Sequence, residues 1–366
     1  MEELSSSELP EEQRMLLATL LSDSLGKLPS HLGWIDEAIA WVEAATQSKL
    51  ISRTRINQFN AGDGFALIRF PMEDGRHYWL KATGAPNCHE YSITQCLFSL
   101  SIRCSEGSGY IPAVLAAKPE WNSWIMSGEG RSIAPNLRSA LRARPTLEKA
   151  VRALARLQIM TVDRSVQLLQ AGAFDQRLEV MESHAEEMFD YIEEAMSVQT
   201  STRAPRLDSR TLKLMCTNLK RVCERLDSLG FPASIVHGDL NSGNILEATN
   251  CQFIDWSEAY IGIPLASLQH LLLLNQAEDG LERDRLDAAL KDLFREEWVA
   301  CCGANQFDEG FRYMRFLAAA SALYGRGSWL AAPSRNQFPQ QSYARTLARE
   351  MYRALATLQP EEALCH

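Results

Sequence analysis

One stretch, Ile235 to Ala259 (IVHGDLNSGNILEATNCQFIDWSEA), constrains this chain more than any other part of it. Two short apolar runs flank a polar loop, and Asp255 follows the second run. This pattern predicts a strand, a loop, a short strand and a second loop. Asp239 and Asn244 both lie in the first loop. A turn rich in Asp and Asn is the simpler alternative, because both side chains bond to nearby backbone groups. Such a turn requires neither apolar strands on both sides nor a second matched aspartate.

Residues 237–244, HGDLNSGN, resemble the kinase catalytic loop H-R-D-x-x-x-x-N, with Gly238 in place of the arginine. Together with residues 253–259, FIDWSEA, the loop is similar to the aminoglycoside phosphotransferase and choline kinase family, the small-molecule branch of the protein-kinase-like fold. The chain departs from the common form of the motif at Asn241, where a second histidine is frequent. The departure replaces neither the proton acceptor nor the metal ligands of that motif.

The resemblance implies both a fold and an activity. We expect an α+β, two-lobed protein-kinase-like fold with a small antiparallel-sheet N-lobe, a larger and mainly helical C-lobe, and an N-terminal helical extension. The expected ranges are 1–50 for the extension, 51–128 for the nucleotide-binding N-lobe and 129–366 for the C-lobe with the catalytic loop and the acceptor-binding surface. The implied activity is transfer of the γ-phosphate of ATP or GTP to a hydroxyl of a small molecule.

This chemistry explains the residue types in the two loops. A carboxylate must accept the proton of the attacking hydroxyl, and we expect Asp239 to be this catalytic base. The developing charge must be neutralised by Mg²⁺, a hard cation that takes oxygen ligands and usually only one or two carboxylates. Asn244 and Asp255 supply such oxygens. Glu258 fits a place beside the metal or the acceptor, and equally a structural role.

From about residue 53 the periodicity changes to that of strands. Three short runs, 53–59, 65–70 and 77–81, are separated by Asp-Gly turns, which predicts an antiparallel meander. In a kinase-like lobe the first turn lies over the nucleotide phosphates, so Gly62 and Gly64 are candidate phosphate contacts. An ordinary hairpin turn explains the same two glycines.

Lys81 ends an aromatic and aliphatic strand, where an inward-facing lysine needs a negative partner. In the family the equivalent lysine holds the α- and β-phosphates and pairs with a glutamate on the following helix. Glu90 is the predicted partner, because it shares a helical stripe with Ile93 and Leu97. Two alternatives stay open. Lys81 is a surface residue, or a nearby side chain takes the place of Glu90: His89, Glu106 or Asp63.

Two more strands are predicted, over 111–115 and 121–126, before a glycine-rich hinge at 127–130. The hinge backbone binds the adenine edge in this fold, so Met126 and Gly128 are nucleotide-binding candidates. Helices dominate the remainder, with predicted ranges 146–160, 174–196, 209–229, 265–274, 278–301, 308–324 and 342–358. The longest irregular piece, 325–338, contains Trp329, which suits either a wall of the acceptor site or a packed loop.

Composition narrows the class of protein. The nine cysteines include no C-x-x-C pair, which favours reduced thiols over disulfides or a zinc site. The net charge of -9 disfavours a nucleic-acid or membrane binder. Apolar runs fall short of the roughly 20 residues of a membrane span, and the acidic start differs from a signal peptide. We therefore expect a cytoplasmic protein whose partner is a small-molecule acceptor.

The acceptor itself has no recognisable motif. Aminoglycosides, other antibiotics, choline-like amines, homoserine-like amino acids and sugars all remain open, with cationic acceptors mildly favoured by the acidic charge. A kinase-like pseudoenzyme that binds nucleotide without transfer is the main alternative. A protein kinase is disfavoured, since no A-P-E segment follows Asp255. The N-terminal extension is also compatible with a regulatory or dimerising arm.

Overall fold

The structure is a computed structural model. It describes residues 33–62, 65–104, 109–127, 130–137, 139–325, 327 and 341–358. The chain separates into two compact units, Met1–Gly130 and Arg131–His366. Several predicted features lie outside the described residues: Gly64, Gly128, Trp329 and the extension before residue 33.

The first unit is built on a five-stranded antiparallel sheet with strand order β1-β2-β3-β5-β4. Its strands are β1 (Asn57–Gly62), β2 (Phe65–Pro71), β3 (His77–Thr83), β4 (Val114–Lys118) and β5 (Ser123–Ser127). Its described helices are α1 (Trp34–Thr46) and α2 (Glu90–Cys104).

One face of this sheet is buried against α1. Alternate residues of β2 and β3, such as Phe70 and Leu80, form a continuous cluster with Ala38 and Val42 of the helix. Side chains two apart on a strand share a face, so the apolar alternation in β2 and β3 specifies this packing. Each fully buried large side chain contributes about 1.5–3 kcal/mol. The described part of the predicted extension therefore contains a helix that packs on the sheet of the first unit.

The predicted starts of three strands in this unit are wrong. The strand predicted over 121–126 begins at Ser123, because Pro119–Trp121 form a 3₁₀ turn. Residues Arg53–Arg55 form a 3₁₀ turn rather than the start of β1, because the hydroxyl of Ser52 caps the turn by accepting a hydrogen bond from the N–H of Thr54 at 3.3 Å. The strand predicted at 111–115 begins at Val114, where pairing with Met126 of β5 starts.

The second unit is mainly helical. Its helices are α3 (Ala140–Thr161), α4 (Ser165–Gln170), α5 (Leu178–Ser183), α6 (Ala185–Ser197), α7 (Ser209–Ser228), α8 (Leu265–Leu273), α9 (Gly280–Trp298), α10 (Ala304–Arg312), α11 (Met314–Tyr324) and α12 (Gln341–Thr357). Its short strands are β6 (Arg131–Ser132), β7 (Phe174–Asp175), β8 (Ser234–Val236), β9 (Ile245–Glu247), β10 (Cys251–Phe253) and β11 (Tyr260–Gly262). They form two three-stranded sheets, β10-β9-β6 and β7-β11-β8.

The single helix predicted over 174–196 is wrong at its start. Phe174 and Asp175 form β7, which pairs in parallel with Tyr260 and Ile261 of β11, and helical structure begins only at Leu178. Pairing with a distant strand overrides local helical periodicity here. The helix predicted over 308–324 is likewise two helices, α10 and α11.

Within the described ranges, no helix combines the length and the apolar character that crossing a membrane requires. The cysteines whose side chains are described are free thiols: Cys88, Cys96, Cys216, Cys223, Cys251, Cys301 and Cys302.

Candidate active site

The loop that carries Asp239 starts at the end of β8, a buried strand held along both edges. β11 pairs with one edge. On the other edge, Gln158 Nε2 donates to the carbonyl oxygen of Ile235 at 2.9 Å, and the N–H of Ile235 donates to Thr161 Oγ1 at 3.1 Å. Both side chains come from α3, so a helix and a strand together fix the start of the loop.

His237 connects this loop to the one that carries Asp255. Its side chain is fully buried, and its Nε2 lies 2.8 Å from the carbonyl oxygen of Ile254. Burial lowers the pKa of His237 to about 4, so the ring is neutral at pH 7 and Nε2 carries the proton that is donated. The ring also packs on Trp256, with the two ring centroids 4.5 Å apart.

Gly238 occupies a position where only glycine fits. Its φ is +79°, and a Cβ at this position would lie 1.9 Å from the carbonyl oxygen of Glu258. This close approach gives a physical reason for the glycine that replaces the kinase arginine in the motif.

Two asparagines orient the carboxylate of Asp239, which is exposed. Asn241 Nδ2 donates to Asp239 Oδ2 at 3.2 Å, while Asn241 Oδ1 accepts from the N–H of Gly243 at 2.8 Å. Asn244 is buried, and its Nδ2 lies 2.9 Å from the carbonyl oxygen of Asp239 and 3.4 Å from its Oδ2. The structure therefore brings the predicted base and one predicted metal ligand into direct contact.

Asp255 is tied to the same loop through its neighbour. The N–H of Ile254 donates to the carbonyl oxygen of Asn244 at 3.1 Å. Asp255 itself has φ +68° and ψ +65°, a left-handed conformation that is uncommon outside glycine and that concentrates at functional sites. Ser257 Oγ donates to Asp255 Oδ1 at 3.3 Å.

The donor set of these two residues fits Mg²⁺. Neither hydrogen bond of the Asn244 side chain to the described residues uses its carboxamide oxygen, and Asp255 adds a carboxylate. The described part of the chain contains no group of three or more His, Cys, Asp and Glu that could hold a metal. An ion that keeps waters and phosphate oxygens as ligands, as Mg²⁺ does, needs no such group.

Lys81, Glu90 and Met126 lie in the first unit. Lys81 Nζ is 2.5 Å from Glu90 Oε1, and the two residues are 5% and 1% exposed. The predicted pair is thus formed, and it is buried. Met126 is buried on β5, opposite Trp79 of β3. Gly62 is the last residue of β1, where it pairs with the first residue of β2.

In the second unit, Asp239 lines a cavity of about 320 Å³. Gly238 and Glu258 line it as well, and the remaining lining residues are Gln176, Tyr260, His270, Ser321, Ala322, Gly325 and Tyr343. Among these described residues there is no Lys or Arg. The cavity wall therefore combines carboxylates with neutral polar side chains.

The negative charge of Asp239 acts on other ionisable groups of this wall. Burial lowers the pKa of His270, although the charge of Asp239 acts in the opposite direction. Burial and the charge of Asp239 together raise the pKa of Tyr343, and burial raises the pKa of Tyr260. The phenols and the imidazole are thus held neutral and can exchange hydrogen bonds with a bound molecule.

Sequence reasoning missed most of this wall. His270, Tyr343 and Gln176 lie on α8, on α12 and just after β7, far from the catalytic loop in sequence and without a shared motif. Among the residues missed, Tyr260 has a signal in the sequence, because it directly follows the recognised stretch.

The sequence model of the APH family, described as a phosphotransferase enzyme family, matches residues 106–301. The chain belongs to the APH phosphotransferase family. The matched range contains Asp239, Asn244 and Asp255, and it begins after Lys81 and Glu90. The family predicted from the catalytic loop is confirmed. No curated protein sequence matches the chain.

Solved structures resemble this APH family member in fold. The streptomycin–ATP ternary complex of APH(2″)-IIa is 12% identical with a TM-score of 0.54, over 92% of this chain and 100% of that one. The ethanolamine kinase of Plasmodium vivax is 12% identical with a TM-score of 0.52, over 85% and 84%. A choline/ethanolamine kinase family protein from Mesorhizobium loti is 14% identical with a TM-score of 0.50, over 90% and 97%. These likenesses confirm the predicted α+β, protein-kinase-like fold class.

Proposed function

We propose that this chain transfers the γ-phosphate of ATP or GTP to a hydroxyl group of a small molecule. The observation that carries the proposal is the setting of Asp239. Its carboxylate accepts hydrogen bonds from Asn241 and Asn244 and lines a cavity large enough for a substrate group. Membership of a phosphotransferase family supports the reaction class.

In the proposed reaction the hydroxyl oxygen of the acceptor attacks the γ-phosphorus. The bond between that phosphorus and the oxygen of the leaving nucleoside diphosphate breaks, and the hydroxyl proton passes to Asp239. Orientation of the carboxylate by Asn241 and Asn244 holds the base toward the attacking group before reaction. Such positioning supplies much of the rate enhancement in phosphoryl transfer.

The remaining roles concern the nucleotide. Asn244 and Asp255 would hold Mg²⁺, which when bound neutralises charge on the phosphates. Lys81 steadies the α- and β-phosphates, and Glu90 fixes the position of the lysine amine. Gly62, Gly64, Met126 and Gly128 stay as proposed nucleotide contacts. We assign nucleotide binding to residues 51–128 and the chemistry and acceptor binding to residues 129–366.

The cavity wall favours a neutral or cationic acceptor. Asp239 and Glu258 would repel an anionic group, and no cation among the described lining residues offsets them. A volume of about 320 Å³ corresponds to about ten water molecules, which suits an amino alcohol or one sugar ring. We propose the cytoplasm as the location of this reaction, because ATP and GTP are available there.

Thermal unfolding tests the nucleotide half of this proposal. The wild type, Asp239→Asn and Asp255→Ala are compared with and without Mg²⁺ plus ATP or GTP. The wild type and Asp239→Asn should gain thermal stability, because the base does not bind the nucleotide, whereas Asp255→Ala should lose the gain. No gain in a folded wild type with either nucleotide would contradict the proposal.

Turnover measurements test the second part of the proposal, the transfer of phosphate to an acceptor. Release of nucleoside diphosphate is measured with streptomycin, ethanolamine and choline as acceptors. Asp239→Asn should lower turnover at least about 100-fold with nucleotide binding intact. Asp227→Asn, which neutralises an exposed carboxylate on α7, is the matched control. Nucleotide binding without transfer to any acceptor, and with Asp239→Asn indistinguishable from the wild type, would favour a pseudoenzyme.

A further inference from the structure

The last helix, α12, carries a row of three arginines. Arg345, Arg349 and Arg353 follow one another at intervals of four residues, so they lie along one side of the helix. Like charges at this spacing repel one another, and the helix contains a single carboxylate, that of Glu350, to offset them. In a chain with a net charge of -9, this row is a local excess of positive charge.

The first two arginines of the row contact the end of α6 and the loop that follows it. Arg345 Nη1 donates to the carbonyl oxygen of Ala195, in the last turn of α6, at 2.9 Å. Arg349 Nε donates to the carbonyl oxygen of Pro205 at 3.0 Å, and its Nη2 donates to Gln199 Oε1. Its Nη1 donates to the carbonyl oxygen of Arg345 at 3.1 Å. All of these acceptors are neutral, so the hydrogen bonds hold both guanidinium groups in place without neutralising their charge.

Neither Arg345 nor Arg349 forms an ion pair with a carboxylate in the described ranges. Glu350 instead pairs with Arg353 and lies 3.8 Å from Arg315. Burial, together with the positive charges of Arg345 and Arg353, lowers the pKa of Arg349. The first two guanidinium groups of the row are therefore charged neighbours that repel each other, and an anion between them would relieve this repulsion.

Both side chains keep donor groups for such an anion. A guanidinium has five N–H donors in a planar fork. Among the described residues, Arg345 uses one of its donors and Arg349 uses three. Both residues are half-buried, which strengthens their attraction for an anion because less water screens the charge. Arginine forms short, strong and often bidentate hydrogen bonds with phosphate oxygens.

We propose that Arg345 and Arg349 bind the phosphate group of a small molecule, either inorganic phosphate or a phosphomonoester. Two half-buried side chains held in fixed directions suit a compact anion, whereas a membrane or a nucleic acid needs a broad positive surface. The three arginines of the row do not line the cavity that contains Asp239. This site is therefore distinct from the site of the proposed reaction, and it does not depend on the proposed function.

Phosphate binding by the full chain tests this proposal. Calorimetry and thermal unfolding are carried out with inorganic phosphate and with glycerol phosphate, without Mg²⁺ and at low ionic strength. The wild type should bind at least one of them with a dissociation constant of about 1 mM or lower. The affinity should fall when NaCl is added. Tighter binding of glycerol phosphate would assign the site to phosphomonoesters, and tighter binding of inorganic phosphate would assign it to the free anion.

Arg345→Gln is the decisive variant. It should weaken phosphate binding at least about tenfold, because it removes a charged donor. Arg345→Lys keeps the charge but loses the planar fork, so it should retain only part of the affinity. Arg142→Gln removes an equal charge from an exposed position on α3 and should bind phosphate as the wild type does. Lys81→Met should also bind phosphate normally, because this lysine is assigned to the nucleotide.

Three results would overturn the proposal. The first is a folded wild type that does not bind phosphate, or that binds it no more tightly than Arg345→Gln does. The second is binding that is lost in Lys81→Met and kept in Arg345→Gln, which would assign the phosphate to the proposed nucleotide site. The third is binding to phosphatidylserine vesicles without binding to either phosphate compound. Since turnover with a nucleotide is measured separately, each of these results would leave the proposed function standing.

Discussion

The imidazole Nε2 of His237 lies 2.8 Å from the carbonyl oxygen of Ile254, whose own N–H donates to the carbonyl oxygen of Asn244 at 3.1 Å. One residue is thus held by both the start and the end of the loop that contains Asp239. Since Ile254 directly precedes Asp255, these two hydrogen bonds fix the position of the proposed metal ligand relative to the proposed base.

The buried imidazole of His237 should make stability depend on pH. Burial lowers its pKa from the usual 6.5 to about 4. Between these pH values the unfolded chain binds a proton that the folded chain does not bind. The free energy of unfolding should therefore fall as pH is lowered from about 6.5 to about 4, by about 3 kcal/mol in total from this residue, and should be unaffected by it at higher pH.

Urea unfolding of the wild type and His237→Gln across this pH range measures the contribution. Glutamine retains an N–H that can donate to Ile254 but has no proton to gain. The variant should be less stable at pH 7, because it loses the ring contact with Trp256, and should show a shallower pH dependence. Equal slopes for the two proteins would show that the histidine does not titrate in this way.

Replacement of Gly238 by alanine should strongly destabilise the fold. An alanine at φ +79° would be strained by about 1–2 kcal/mol, and its Cβ would collide with the carbonyl oxygen of Glu258. The displaced backbone adds an overpacking cost of about 1–3 kcal/mol. Gly230→Ala is the matched control, because Gly230 has φ +72° and a Cβ added there would meet no atom within 4 Å, so this variant carries the strain alone. In urea unfolding, Gly238→Ala should have a clearly lower free energy of unfolding than Gly230→Ala. Equal losses of stability in the two variants would contradict the collision.

The parts of the site that could be predicted are those encoded by neighbouring residues. Spacing alone places Asp239 and Asn244 in one loop, and helical periodicity brings Glu90 to the buried face where it meets Lys81. Each of these relations involves few residues that lie close together in the sequence. They are therefore visible as patterns in the sequence.

The cavity wall could not be predicted in this way. Gln176 reaches it because β7 pairs with β11, a contact that local helical periodicity around residue 174 conceals. His270 and Tyr343 come from helices whose packing depends on the whole unit. Long-range packing decides which faces of α8 and α12 meet the cavity, and no spacing rule connects them.

Asn241 should position the catalytic carboxylate without binding the nucleotide. Its Nδ2 donates to Asp239 Oδ2, and its Oδ1 holds the N–H of Gly243. Loss of one exposed hydrogen bond is worth about 0.5–1.5 kcal/mol, so Asn241→Ala should lower kcat about two- to tenfold. Steady-state kinetics with the best acceptor, together with nucleotide dissociation constants, checks this result.

Asn241→Asp is the informative companion variant. It keeps an acceptor for the N–H of Gly243 but places a second negative charge beside Asp239, so kcat should fall at least as far as in the alanine variant. Weakened nucleotide binding with an unchanged kcat in both variants would instead assign Asn241 to the phosphate side of the site.

The buried pair of Lys81 and Glu90 should be strongly coupled. Lys81→Met leaves the Glu90 carboxylate without its partner at 2.5 Å, and removal of one member of a buried pair costs about 3–5 kcal/mol. Glu90→Gln should also destabilise, but the double variant should lose less than the sum, because it leaves no unpaired buried charge. A double-mutant cycle by urea unfolding measures this coupling.

Lys81→Met should also weaken Mg²⁺-dependent tripolyphosphate binding, since the amine is assigned to the phosphates. Additive losses of stability together with unchanged tripolyphosphate binding would contradict both roles of the pair.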